Sequence, residues 1–276
     1  MSLSAIPILF LALAQVHLAP VGNAPFLSSP LDLGYRQMYN LQFAEAHRTF
    51  EAYERSRPDD PMAPTSRAAA YLFSEFERLG ILQTELFVDD EMFEGRKKPE
   101  PNPSVRAAFT QEIARSNQRA DAALARSPNN RDALLAKVLN LGLEADYLAM
   151  VEKRNMAAVS TSKKASELAE TLLRVAPDCY DAYLAIGVEN YLLGLRPAPV
   201  RWFLRLYGAR TDKDEGIRKL ELTAERGHYL LPYARLMLAV AALRDNNRTR
   251  AREFLANLAQ EFPGNTLYRQ ELAKLQ

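Results

Sequence analysis

A proline followed by a polar turn recurs along this chain, at Pro58-Asp59-Asp60, Pro128-Asn129-Asn130, Pro177-Asp178 and Pro263-Gly264-Asn265, each time closing a stretch of helical apolar spacing. Proline cannot continue a helix, so these sites cut the chain into short helical units. Counting back from Pro58 gives Phe50, Ala46, Gly34 and Leu33; the same offsets from Pro263 give Leu255, Ala251, Ala239 and Leu238, with the turn Asp245-Asn246-Asn247 between the two helices. Forward of Pro177 stand Tyr183, Ile186 and Gly187, after which an insertion displaces the second helix. Self-similarity of this kind marks a stack of repeated supersecondary units.

Packing explains the residue types. Small residues at Gly34, Gly187, Ala46 and Ala251 let two antiparallel helices approach closely, and Phe50 and Leu255 are expected to fill the space against the next pair. The pattern predicts helix pairs over 32–57, 63–126, 131–175, 180–226 and 229–262, closed by a short helix at 265–275. One pair cannot bury its apolar face alone, so residues 25–276 are expected to form a single domain.

Through Leu33-Gly34…Ala46…Phe50…Pro58 and Ala251…Leu255…Pro263, the chain resembles the tetratricopeptide repeat superfamily over nearly all of 32–276. The stretch from Gly194 to Gly208, followed by Asp212 to Gly216, is also similar to a divergent branch of that superfamily, the inclusion-body-clearance proteins and their bacterial relatives. The resemblance implies an all-α, right-handed solenoid of about five antiparallel helix pairs with two insertions, doing adaptor-like, non-catalytic work. The second and third pairs depart from the pattern, with Ser116 and Ala120 where Ala and a large residue are usual.

No Asp, Glu, Lys or Arg precedes Asp32, and Ala5 to Ala14 form an apolar run of the length of a signal-peptide core. Residues 1–24 are therefore expected to be a signal peptide and the protein to be periplasmic or secreted. The run is too short to span a bilayer. Lys+Arg 35 against Asp+Glu 34 leaves a net charge of +1, without the basic field that holds nucleic acid. One cysteine and three histidines are too few for a structural zinc site, and no cofactor is expected.

In the solenoid the first helix of each pair lines the concave groove, which places Tyr35, Met38, Tyr39, Leu72, Phe73, Leu135, Leu139, Leu184, Val188, Tyr191, Tyr233, Leu236 and Val240 there. That surface is apolar, and the helix from Tyr229 to Leu243 carries Arg235 as its one charge, so it must be covered on both sides. The insertions near 82–103 and 195–212 are expected to fold back over the groove, since large exposed apolar patches are rare. The second insertion is the most distinctive segment: Arg196 to Arg210 holds four arginines, no acid, and Trp202, Phe203, Leu204, Leu206 and Tyr207. If helical from Pro199, Arg201 and Arg205 share one face and Trp202 and Leu206 another, a layout suited to a partner or to peripheral contact with an anionic membrane. Against this stands the reading in which the aromatics cap the groove and the arginines pair with Asp212, Asp214 and Glu215. In the first insertion Asp89-Asp90-Glu91 lacks calcium-loop spacing, and no metal is assigned.

Catalytic parts are missing. His17, His47 and His228 show no local Ser/His/Asp or Cys/His pairing, and Cys179 beside Asp178 sits where a thiol pKa rises. Glu144 and Asp146 on an apolar helix are accounted for by salt bridges between helices. The sequence thus reads as a scaffold binding a protein or peptide through Arg201, Trp202, Arg205, Tyr191 and Tyr233, with no catalytic residue; the rival reading is a carrier or membrane-surface protein with an apolar small molecule or lipid in the groove. Oligomeric state is not encoded in any feature of the sequence.

Overall fold

The computed structural model describes residues 29–81, 100–195 and 211–275. Among them stand eleven α-helices and no strand. They are α1 (Pro30–Tyr39), α2 (Phe43–Ser56), α3 (Met62–Arg78), α4 (Pro103–Arg126), α5 (Arg131–Asp146), α6 (Asn155–Val175), α7 (Tyr183–Gly194), α8 (Lys213–Arg226), α9 (Leu231–Arg244), α10 (Arg248–Glu261) and α11 (Thr266–Ala273). A π turn at Tyr147–Val151 continues α5, and a short 3-10 turn at Tyr180–Ala182 precedes α7. The helices pack in sequential pairs, α1 with α2 through α9 with α10, and α11 closes the series. The pairs expected from the proline turns are present at the expected places.

The polar turns do a second job, because they cap the helix that follows. Asn130 accepts from the Ala133 N–H at the start of α5 and Asn265 from the Leu267 N–H at the start of α11. Ser29 and Asp32 form a capping box at α1, with Pro30 in its first turn. Each cap satisfies N–H groups that a helix start otherwise leaves bare.

Close crossings carry the pairing. A Cβ at Gly34 would lie 2.2 Å from Phe50 Cε1, and one at Gly216 would lie 2.5 Å from the Tyr191 backbone nitrogen. Phe50 therefore fills the crossing inside its own pair, edge-on to Tyr35 at 5.6 Å. The departure at Ser116 also has a reason. Ser116 is fully buried and joins a polar knot: the Thr65 hydroxyl donates to Asn140 Oδ1 (3.0 Å), the Asn140 amide to Ser116 Oγ (2.8 Å), and Ser116 to the Pro61 carbonyl (3.1 Å). The knot ties α3, α4 and α5 together through groups that would be costly to bury unpaired.

An open solenoid contacts only its neighbouring repeats. Here the first helix meets the last ones. The Tyr39 ring packs against Phe262 at 5.4 Å, the Asn265 amide donates to the Tyr39 carbonyl (2.9 Å), and the Gly264 N–H donates to Asn40 Oδ1 (2.8 Å). Tyr35 stacks on Tyr229 at 4.6 Å, and His228 Nε2 lies 2.8 Å from Asp32 Oδ1. One hydrophobic cluster accordingly runs from Leu31 and Tyr35 through Leu135 and Leu172 to Leu258 and Phe262. The array curls until its ends touch, with α1, α3, α5, α7 and α9 facing a shared interior.

Candidate functional site

At the centre of that ring is a cavity of about 90 Å³, walled by side chains from all five inner helices, among them Tyr35, Tyr39, Phe73, Leu139, Val188 and Tyr233. Phe73 and Tyr233 meet edge to face at 5.7 Å. A smaller void of about 30 Å³ lies on the far side of the Met38, Tyr39, Phe73 and Tyr233 wall. The apolar helix α9 is thus covered by its neighbours, and its one interior charge is satisfied: Arg235 pairs with Glu261 at 2.9 Å and donates to the Ala224 carbonyl.

Two carboxylates face the cavity, in different electrostatic settings. Asp181 accepts from the backbone N–H groups of His228 (2.8 Å), Tyr229 (3.1 Å) and Leu230 (3.0 Å), so its charge is compensated by the turn that leads into α9. Burial raises its pKa, against the pull of those three N–H groups and of His228. Asp146 has no such help. Its sole partner among the described residues is the Tyr233 hydroxyl, 3.3 Å from Oδ2, and it forms no ion pair there, contrary to the salt bridge expected from the sequence. Burial pushes its pKa up to about 7 against that one hydrogen bond. The Tyr233 phenol is held well above its ordinary value by burial and by Asp146, so it remains a donor.

The larger concavity is outside the ring. Between α6, α7 and α8 runs an open cleft of about 480 Å³, with Leu173, Tyr183 and Ile186 along it and Glu170, Arg174, Glu215 and Lys219 at its sides. Lys219 Nζ sits 5.1 Å over the Tyr183 ring and 3.1 Å from Glu215 Oε1. Hydrogen bonds from Arg218 and Lys219 hold the Glu215 carboxyl below its ordinary range. The end of α7 and the start of α8 are pinned together here: a Cβ on Gly194 would stand 2.6 Å from the Lys213 backbone nitrogen.

Of the residues expected to carry binding, Arg201, Trp202 and Arg205 lie outside the described residues, as do Asp89, Asp90 and Glu91 and most of both insertions. Tyr233 lines the cavity. Tyr191 does not line it. It is completely buried between α7 and α8, in a cluster with Leu220, Met237 and Leu238, because Gly216 lets α8 come against its backbone. Leu72 likewise turns away to pack with Phe76, Phe109 and Tyr147. Cys179 is buried, with a pKa raised to about 11 by burial and then by Asp181, so its thiol is not nucleophilic at neutral pH. His47 lies 4.1 Å from the Tyr71 ring, and burial and Arg67 lower its pKa to about 4. No helix among the described residues is long and apolar enough to cross a membrane.

No family model and no curated protein matches the chain. In structure it is similar to the crystal structure of a thermophilic tetratricopeptide (TPR) protein from Thermus thermophilus, at 17% identity over 89% of this chain and 96% of that one, with a TM-score of 0.45. The chain's own geometry gives the fold: antiparallel pairs in sequence order, a glycine or alanine at the crossing, a proline at the closing turn. The fold is tetratricopeptide-like.

Proposed function

We infer that this protein is a non-catalytic scaffold that binds a protein or peptide on its outer cleft rather than in a concave groove. The observation that carries the reading is the contrast between the two concavities. The interior holds about 90 Å³, well below the roughly 300–1,000 Å³ of sites that engulf drug-sized ligands, while the cleft between α6, α7 and α8 offers about 480 Å³. A cleft with an aromatic and aliphatic line and charged sides has the anatomy of an interface: apolar anchors at the centre, polar groups at the rim.

Chain connectivity adds the Arg-Trp segment. Asn190 and Glu215 line the cleft, and the 196–210 insertion leaves and rejoins the chain within a few residues of them. Arg201, Trp202 and Arg205 are proposed to contribute the aromatic anchor and the contacts to carboxylate or phosphate groups. The small interior removes the support that an apolar groove lent to the carrier reading. Export by a signal peptide over 1–24, to a periplasmic or secreted location, remains part of the proposal.

The test is affinity purification of the full chain from its native extract, beside Trp202→Ala/Arg201→Ala and Tyr183→Ala/Lys219→Ala versions. Bound proteins and extracted lipids are both identified by mass spectrometry. A protein lost with both variants, while the helical circular dichroism is unchanged, supports the reading. Retention of every bound protein by folded variants contradicts it, and recovery of a lipid that depends on Arg201 returns the carrier.

A further inference from the structure

We propose that the central cavity is a binding site for a small primary ammonium group, with the Asp146 carboxylate as its counter-charge. The inference goes beyond the scaffold reading and uses none of the cleft residues. Its starting point is an electrostatic imbalance. Asp146 faces a cavity whose lining, among the described residues, contains no Lys, Arg or His, and its one hydrogen bond is the 3.3 Å contact from Tyr233. A carboxylate in apolar surroundings without a cation is costly, and such groups concentrate where a ligand or a reaction supplies the missing charge. The other carboxylate on the wall, Asp181, is already compensated by three backbone N–H groups. Among the described residues, Asp146 is therefore the wall carboxylate with neither a cation nor backbone N–H donors beside it.

Shape and wall chemistry fit the same ligand class. Tyr35, Tyr39, Phe73 and Tyr233 supply aromatic rings from α1, α3 and α9, and ring faces attract ammonium groups in desolvated sites. A cavity of about 90 Å³, well below the roughly 300–1,000 Å³ of sites for drug-sized ligands, suits a short alkylamine or the tip of a lysine side chain. Gly142, on the wall next to Asp146 along α5, keeps the space clear, for a Cβ built there meets nothing within 4 Å. Because Asp146 is half protonated near neutrality, binding of an ammonium below that pH displaces a proton.

The experiment is titration calorimetry of the full chain with n-butylammonium chloride, n-butanol, and the capped peptide acetyl-Gly-Lys-Gly-amide, at pH 6 and pH 8.5. Asp146→Asn and Gly142→Leu are run alongside. The expected result is saturable binding of butylammonium with proton release at pH 6 and little at pH 8.5, at least tenfold weaker binding in Asp146→Asn, and none in Gly142→Leu, whose bulk fills the cavity while the carboxylate is retained. Thermal unfolding of both variants confirms that they fold. Binding of the peptide as well as the amine assigns the site to a lysine side chain, and binding of the amine alone to a free small molecule. Equal binding of butanol, undiminished binding in either folded variant, or no saturation in the millimolar range overturns the proposal.

Discussion

The Tyr39 hydroxyl donates a 2.8 Å hydrogen bond to the Tyr229 carbonyl across 190 positions of sequence. Around it gather the Tyr35–Tyr229 stack and the Asn265 and Gly264 contacts to the end of α1, so the helix that begins the array is held by the helices that end it. A terminal helix of an open solenoid frays; this one has partners on both sides. In native-state hydrogen exchange, the α1 amides are predicted to open with free energies close to those of α5 and α9. Tyr39→Phe, which strands the Tyr229 carbonyl, is predicted to cost about 1 kcal/mol in urea unfolding and to lower protection in α1 and at the start of α9 together.

Asp146 gives a pH signature with a definite sign. Its carboxyl titrates at about 7 in the folded chain against 3.8 as its ordinary value. Between those values the folded state binds the extra proton, so stability falls as pH rises from about 4 to about 7 and then levels. Asp146→Asn removes this loss. The variant is predicted to match the parent near pH 4 and to exceed it at pH 8, by at most about 4 kcal/mol for roughly three pK units, as read from urea unfolding at the two pH values.

Gly34 answers to packing rather than charge. Its would-be Cβ lies 2.2 Å from the rim of Phe50, a ring that is completely buried. Gly34→Ala is predicted to destabilise by roughly 1–3 kcal/mol through overpacking, despite the better helix propensity of alanine. Adding Phe50→Leu should recover part of that loss in a double-mutant cycle; strict additivity would show that the two positions do not share the crossing.

At Ser116 the repeat pattern and the structure make opposite forecasts. Pattern alone favours alanine there. The hydroxyl, however, takes the Asn140 amide and gives to the Pro61 carbonyl, both inside the core. Ser116→Ala is predicted to cost about 1–3 kcal/mol by leaving buried partners unsatisfied, measured by the shift in urea midpoint at unchanged m-value.

Much of the scaffold was legible in the chain because its rules are local. Proline turns, their Asn caps and the small residues at crossings act within one hairpin, and they place the helix pairs from 30 to 273. What escaped is long-range. Nothing in the spacing around Asn40 or Tyr229 signals that the two ends meet, since the contacts use a backbone carbonyl, a backbone N–H and a short amide. Closure in turn decides the site: it shrinks the expected groove to a small cavity and makes the outer cleft the larger concavity. Tyr191 was assigned to the groove by repeat position, but Gly216 draws α8 against it, a tertiary preference invisible at that position. On sequence, Asp146 is one acid among many on an apolar helix, accounted for by a salt bridge; its partner is instead Tyr233, which only the ring brings near.

Closure of the ring is the claim on which the small central cavity depends, and a crosslink tests it directly. A Cβ on Gly264 would lie 3.2 Å from the Asn40 Cβ, within a few tenths of an ångström of the range for a disulfide. In a Cys179→Ser background, Asn40→Cys/Gly264→Cys is predicted to oxidise rapidly within one chain. The resulting 224-position loop should leave the circular dichroism unchanged and raise stability by up to about 5 kcal/mol on the chain-entropy account. A pair that stays reduced under mild oxidant, or that links only between separate chains, would contradict a closed array.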